Sequence, residues 1–270
     1  MQTRSASPRL SRSPDIFAGM NDLIRGLPKA IDVATIADVL AECATPGETL
    51  IVGVTGSVAA GKTTFCMAVA NHLRSTMHVE IVSTDGFLHS NEALAGKGLS
   101  SRKGFPETYD AGLLSGTLQR ARLGPVRIPG YSHITYDRAP ELDRTIDRPE
   151  IILVEGLGLS KGTDQRDPSA LLDLLVYIEA SEPDLEAWYV SRFMTFWREA
   201  QTNPASFYVR FRQMTEPEAE TFAHSIWTSI NLPNLRDHIS AARAQADLVV
   251  TKSADHGMRL SMPGLVGGDS

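Results

Sequence analysis

The sequence predicts an α/β fold with a mainly parallel central sheet. Short apolar runs rich in β-branched residues alternate along the 270-residue chain with longer segments that have helical apolar spacing. One such run, 50–54, leads directly into a glycine-rich loop of the form GxxxxGK[ST] at 56–63, and a helical segment follows. Strand, loop and helix in this order are typical of a phosphate-binding βα unit in a parallel sheet.

Each predicted element follows from local sequence. Five apolar runs predict strands, and segments with apolar residues three or four apart predict helices. Asp110 is placed to cap the helix that follows it. The strands are expected at 50–54, 79–83, 150–156, 174–178 and 247–251, and the helices within 16–40 and at 64–73, 110–122, 183–199 and 216–230. The polar, glycine-rich and basic segment 91–109 predicts a long loop, which inside a compact domain is more often functional than idle.

Composition and the chain ends indicate one domain, at 15–262, in a cytoplasmic protein. The net charge of −6 argues against a nucleic-acid surface. No apolar stretch approaches the ~20 residues of a membrane span. Cys43 and Cys66 lack metal or redox spacing, which suits a reducing cytosol, and Cys66 is expected to be buried. Residues 1–14, rich in Ser, Arg and Pro, predict a disordered tail without a secretory signal, and 263–270 a frayed end.

The glycine-rich loop supplies the first candidate residues. Its glycines allow backbone N–H groups to turn towards a phosphate, and the following helix start adds partial positive charge. Lys62 would reach the β- and γ-phosphates, and the Thr63 hydroxyl would ligate Mg²⁺. The alternative is a plain turn with a surface lysine. The nucleotide-binding candidates here are Gly56, Ser57, Val58, Ala59, Ala60, Gly61, Lys62, Thr63 and Thr64.

Two acidic residues follow predicted strands at the same sheet edge. Asp85 comes after 79–83, where a kinase needs a carboxylate that accepts or orients a hydroxyl proton. Glu155 ends the strand at 150–156, as an acid ends a Walker B strand, and could hold Mg²⁺ through water or orient Asp85. Both acids precede glycine, so an ordinary turn is the alternative for each.

Aromatic residues surround a possible phosphate contact in the helix at 183–199. Tyr189, Arg192, Phe193 and Phe196 share one helix face. Aromatic residues at this spacing are usually core, but an arginine among them needs an anionic partner such as a phosphate. A second aromatic cluster could line a substrate pocket or extend the core. Its members are Phe207, Tyr208 and Phe211.

His133 and Asn231 are weaker candidates from spacing alone. His133 follows a Pro-Gly turn beside Tyr131, and a lone histidine is more often structural. Asn231 precedes Leu-Pro, which favours a helix C-cap.

Eight segments together resemble a known family over roughly residues 48–260. They are 56–64, 83–89, 103–110, 131–137, 154–157, 188–193, 229–231 and 251–256. In this order they resemble the bacterial type I pantothenate kinases. The first ~50 residues and the segment between 155 and 174 depart from the family pattern.

The resemblance implies a three-layer α/β/α P-loop kinase fold and ATP-dependent phosphorylation of pantothenate at its primary hydroxyl, the first step of coenzyme A biosynthesis. It assigns catalysis to Asp85, with Lys62, Thr63 and Arg192 at the phosphates and Mg²⁺, and Lys252 and His256 near the adenine. The implied substrate contacts are Asp85, Tyr131, His133, Tyr189, Phe193, Phe207, Tyr208, Phe211 and Asn231. Family members are usually homodimers restrained by coenzyme A, which competes with ATP.

Three other functions are compatible with a phosphate-binding loop. A kinase of the same architecture could act on a nucleoside or sugar. A nucleotide-hydrolysing switch or motor is disfavoured, because 251–255 misses the [NT]-K-x-D guanine motif by one residue and Val154-Glu155 offers a single acid. A paralogue that binds nucleotide without chemistry is disfavoured by the presence of Lys62, Asp85 and Arg192.

Overall fold

The computed structural model of the protein describes residues 30–161 and 171–261. The expected tail at 1–14, the expected frayed end at 263–270 and most of the helical region expected before residue 33 lie outside these ranges. The expectation of a single domain at 15–262 stays a prediction.

Four of the described helices, at 62–73, 111–121, 182–199 and 216–226, match predicted segments. The helices in the described ranges are α1 (Val33–Glu42), α2 (Lys62–Leu73), α3 (Asn91–Gly96), α4 (Ala111–Ala121), α5 (Glu182–Glu199), α6 (Glu216–Ile226) and α7 (Leu232–Asn234). The predicted cap of α4 is confirmed, since Asp110 Oδ1 accepts the Leu113 N–H at 2.8 Å. No helix in the described ranges combines the length and apolar character needed to cross a membrane.

The strands form one large sheet and two short ribbons. They are β1 (Ala30–Ile31), β2 (Leu50–Gly56), β3 (Val79–Ser83), β4 (Pro125–Ile128), β5 (Tyr131–Ser132), β6 (Asp137–Arg138), β7 (Arg144–Asp147), β8 (Ile151–Glu155), β9 (Leu174–Glu179), β10 (Leu248–Lys252) and β11 (Met258–Ser261). β4 pairs with β7 and β5 with β6, each pair antiparallel.

The central sheet confirms the α/β prediction. Its strand order is β1-β11-β10-β9-β2-β8-β3, and β10, β9, β2, β8 and β3 are parallel. Every residue of β2 and of β8 is buried, as expected for strands covered on both faces. The carboxyl ends of the five parallel strands therefore meet at one edge, where ligands bind in such sheets.

Three parts of the fold differ from the sequence-based expectation. β1 and β11, which pair antiparallel at one side of the sheet, and the ribbon strands β4 to β7 were not predicted, because two- and four-residue strands carry little periodicity. The expected loop at 91–109 contains α3, which Ser90 caps through the Ala93 N–H. Asn231 does not end a helix: π-helical segments at Trp227–Asn231 and Leu235–Ile239 continue the helical chain on both sides of α7.

Neither cysteine forms a disulfide in the described ranges, and both are buried, which confirms the expectation for Cys66. Burial raises the pKa of the Cys66 thiol well above its usual range, and the negative charge of Glu155 adds to the effect. The thiol is therefore a small packing group of the core.

Candidate active site

A cleft of about 970 Å³ opens at the carboxyl edge of the parallel strands. The glycine-rich loop after β2 forms its floor, and the turn after β3, the end of β8, α5 and the helical chain around Asn231 form its walls. The cleft brings most of the predicted residues together. They are Val58, Ala59, Gly61, Lys62, Thr63, Thr64, Asp85, Tyr131, His133, Glu155, Arg192, Asn231, Lys252 and His256.

The glycine-rich loop is tightly wound against the neighbouring strands. Gly56, Ala59 and Gly61 have φ angles of +142°, +64° and +88°. A Cβ atom on Gly56 would lie 2.2 Å from the Ile178 carbonyl oxygen, and one on Gly61 would lie 2.8 Å from Lys252 Nζ. Ser57 and Ala60 are buried, and neither is among the residues that line the cleft. Where residues in left-handed and right-handed backbone conformations follow one another, successive N–H groups can point into a concavity that binds an anion.

Replacing Gly56 with alanine is expected to lower stability. The positive φ alone costs about 1–3 kcal/mol for a residue with a side chain, and the clash with Ile178 adds to it. The measurement is the midpoint of thermal or denaturant unfolding. Gly98→Ala is the matched control, since Gly98 has a φ of +69° but open space around its Cβ position. Equal losses in the two variants would show that the clash is absent.

The start of α2 is built to hold a negative charge. Gly61 is its N-cap and has no side chain to satisfy the first N–H groups of the helix. Lys62 is 8 % exposed, and its Nζ donates to the carbonyls of Ser57 at 2.8 Å and Gly56 at 3.2 Å. Burial lowers the pKa of Lys62, while the carboxylates of Glu155 and Asp85 oppose this shift. A phosphate at the loop would meet this lysine.

Asp85 and Glu155 lie side by side at the cleft. Glu155 pairs with Ser83 of β3 and with Val54 of β2, so it stands between the glycine-rich loop and Asp85. Burial raises the pKa of Asp85, and the negative charge of Glu155 raises this pKa further. Nearby positive charges lower it. A Cβ on Gly156 would collide with the Thr84 side chain, so glycine is needed there for packing. A carboxyl group of raised pKa beside a lysine suits proton transfer.

Arg192 reaches the cleft from α5. Its side chain is exposed, and its guanidinium carbon lies 5.4 Å from the centre of the Phe196 ring. Its positive charge acts on both Asp85 and Lys62. Lys62, Arg192 and Asp85 therefore line the same cleft, and cations together with a carboxylate suit phosphoryl transfer.

Trp188 joins the two residues expected near the adenine. The Trp188 and His256 rings lie 4.8 Å apart and are tilted by 35°. Lys252 Nζ lies 4.8 Å from the Trp188 ring and donates to the Ala60 carbonyl at 3.1 Å. A flat aromatic surface beside the phosphate-binding loop offers a stacking surface for a planar base. Sequence reasoning did not select Trp188, although it lies in a segment that resembles the family.

Lys103 and Tyr136 are cleft residues that sequence reasoning did not select. Lys103 Nζ donates to Asn91 Oδ1 at 2.6 Å and to the Tyr136 carbonyl at 2.5 Å, and lies 5.2 Å from the Tyr131 ring. Burial lowers the pKa of Lys103, whereas the negative charges of Asp137 and Asp85 raise it. Burial also raises the pKa of Tyr131, whose ring meets that of His133 edge-on at 5.2 Å. The basic composition of 91–109 was the available signal for Lys103.

Five predicted substrate contacts are not among the residues that line the cleft. Phe193 is 4 % exposed and belongs to a core cluster between α5 and α6. The Phe207 ring lies 4.9 Å from that of Tyr136, so it backs the wall. Burial raises the pKa of Tyr189 to about 12, although the neighbouring Asn231 and Arg192 oppose the shift. Tyr208 and Phe211 pack against the Phe193 ring at 5.3 and 5.8 Å. Direct contact of these five with a substrate stays a prediction.

Truncation of Phe193 is expected to affect stability more than substrate binding. Phe193→Ala empties a buried aromatic position, which typically costs about 3–5 kcal/mol. Denaturant unfolding and the KM for the phosphate acceptor are measured on the same variant. Phe196→Ala is the matched control, because Phe196 lines the cleft. A large rise in KM for Phe193→Ala with little loss of stability would place its ring in the substrate pocket.

The fold and the site together define a P-loop kinase, an enzyme class that transfers a phosphoryl group from a nucleotide to an acceptor. The phosphate-binding loop, Lys62, Arg192 and the Asp85 carboxyl group meet in one cleft at the carboxyl edge of a parallel sheet.

Comparison with known proteins specifies the family. Residues 51–195 match the phosphoribulokinase/uridine kinase family. Pantothenate kinase of Mesorhizobium japonicum is 42 % identical over 218 residues, which are 76 % of this chain and 68 % of that protein. Pantothenate kinase of Streptococcus pneumoniae strain P1031 is 38 % identical over 231 residues, 83 % of this chain and 76 % of that protein. The chain therefore belongs to the pantothenate kinases, within the phosphoribulokinase/uridine kinase family.

A solved structure shows the same fold. A candidate fructose transport system kinase from a Silicibacter species superposes with a TM-score of 0.66 at 24 % sequence identity, covering 81 % of this chain and 98 % of that one. At this identity the likeness concerns the fold alone.

Proposed function

We propose that this protein transfers the γ-phosphoryl group of ATP to the primary hydroxyl of pantothenate, the first step of coenzyme A biosynthesis. The observation that carries the proposal is the meeting of Lys62, Asp85 and Arg192 in one cleft above the phosphate-binding loop. Relatives named pantothenate kinase, at 38–42 % identity over most of the chain, support the choice of acceptor.

The catalytic work divides among a few side chains. Asp85 accepts the proton of the attacking hydroxyl and orients it; its raised pKa makes it a stronger base than an exposed aspartate. Lys62 and Arg192 neutralise charge on the phosphoryl oxygens. The aromatic rings on the cleft wall exclude water, which protects the phosphoryl group from hydrolysis.

The residues of the cleft fit ATP with Mg²⁺. The left-handed loop and the side-chain-free N-cap of α2 suit phosphate oxygens. Within the described ranges, no three or more His, Cys, Asp or Glu side chains converge as a metal site. This agrees with Mg²⁺, which commonly binds through one or two protein oxygens and the substrate phosphates. Thr63 and Glu155 would hold the ion, which would shield the phosphate charge.

We further propose a cytoplasmic homodimer in which coenzyme A competes with ATP. These properties rest on the resemblance to the type I pantothenate kinases alone. Analytical ultracentrifugation and ATP-dependent kinetics with added coenzyme A test them.

A substrate panel tests the proposed function against its nearest alternative. ADP release is measured with ATP and Mg²⁺ and with pantothenate, uridine or fructose added separately. We expect stimulation by pantothenate alone. Stimulation by uridine or fructose instead would keep the mechanism and change the acceptor. ADP release at the same rate with and without each of the three acceptors would favour a nucleotide hydrolase.

A further inference from the structure

Asn234 is a buried polar residue at the cleft that the mechanism does not use. It ends α7, one helical turn beyond Asn231, and both residues line the cleft. Asn234 is 5 % exposed. The π-helical segments on either side of α7 interrupt regular α-helix, a feature frequent at functional sites.

The hydrogen bonds of Asn234 leave an acceptor available. Its Nδ2 donates to the Gly104 carbonyl oxygen at 3.2 Å. Because that partner is an acceptor, the side-chain amide must present Nδ2 to it, which fixes the orientation of the amide group. The other atom, Oδ1, is buried and has no hydrogen-bond donor among the described residues. Buried polar atoms are nearly always paired, so this acceptor at the cleft is available to a hydrogen-bond donor of a bound ligand.

The bond to Gly104 also places Asn234 beside the segment of Lys103, whose charge interacts with that of Asp85. Gly104 follows Lys103, which lies against the rings of Tyr131 and Tyr136. The segment is held to the helical chain a second time, since the Phe105 ring meets the His238 ring edge-on at 5.5 Å. Loss of the Asn234 side chain therefore leaves one of the two contacts in place.

We propose that Asn234 determines acceptor specificity, an inference that rests on the proposed function. Its Oδ1 accepts a hydrogen bond from a donor of the acceptor substrate other than the reacting hydroxyl. Pantothenate carries two such donors, the amide N–H and the secondary hydroxyl. An alcohol of similar size without a donor at this position leaves Oδ1 buried and unpaired, so it is rejected.

The test compares three acceptors on wild type and Asn234→Ala. The acceptors are pantothenate, its ester analogue without the amide N–H, and its deoxy analogue without the secondary hydroxyl. We expect wild type to lose roughly tenfold in kcat/KM on the analogue that lacks the partner of Oδ1. Asn234→Ala should lose a similar factor on pantothenate and should no longer discriminate against that analogue. The analogue affected identifies the donor.

Controls separate this role from a structural one. Asn203→Ala removes an asparagine outside the cleft, whose Oδ1 accepts the Ala205 N–H. For each analogue, the ratio of kcat/KM on pantothenate to kcat/KM on the analogue should be the same in this variant as in wild type. Asn234→Leu keeps the branched shape of the side chain without its polar atoms and gives the same comparison should the alanine variant not fold. Unchanged ratios for both analogues in the Asn234 variants would overturn the inference alone. Absence of pantothenate turnover by wild type would overturn the proposed function and this inference with it.

Discussion

Asp85→Asn is expected to lower kcat by about 10²–10⁴-fold, the range that general-base catalysis contributes. The amide keeps the shape of the side chain but cannot accept the hydroxyl proton. ATP binding should change little, because Lys62 and the phosphate-binding loop stay in place. Asp85 is not part of the loop, since Glu155 lies between the two. The measurements are kcat for pantothenate phosphorylation and the Kd for ATP by calorimetry.

Asp147→Asn is the matched control for this substitution. Asp147 lies on β7, its side chain is 53 % exposed, and it pairs with Arg148 away from the cleft. Near-normal turnover by Asp85→Asn would contradict its assignment as the catalytic carboxylate.

Lys62→Ala is expected to damage both nucleotide binding and turnover. The lysine is the buried cation at the loop, and its removal leaves the phosphoryl oxygens with one fewer charged donor. Losing one such donor typically lowers kcat by about 10²–10³-fold. The Kd for ATP should rise as well, because the same charge contacts the nucleotide before the reaction.

Lys97→Ala provides the comparison, since Lys97 is exposed and outside the cleft. The Kd for ATP and kcat are measured on both variants. An unchanged Kd for ATP in Lys62→Ala would mean that the lysine contacts the nucleotide only in the transition state.

Local sequence was sufficient to predict the parallel core of the fold and the phosphate-binding side of the cleft. The five parallel strands are continuous apolar runs, and the glycine-rich loop has a fixed spacing. β1 and β11 were missed because strands of two and four residues are too short for a periodic signal, and because β1 and its partner β11 are far apart along the chain.

The acceptor side of the cleft was less predictable for a physical reason. Helical spacing placed Phe193 and Arg192 on one face, but spacing does not tell which residue meets the core and which the cleft. Packing of α6 against α5 buries Phe193. Asn234 carries no sequence signal for its role, because the unpaired Oδ1 is created by the long-range bond to Gly104.

The most direct test of the account is the mass of pantothenate after incubation with ATP, Mg²⁺ and either wild type or Asp85→Asn. We expect wild type to yield a product heavier by one phosphoryl group, with ADP formed in equal amount, and Asp85→Asn to yield almost none. Unchanged pantothenate with wild type, under conditions where the protein binds ATP, would contradict the proposed function. Equal product from both proteins would leave the function standing and contradict the catalytic role of Asp85.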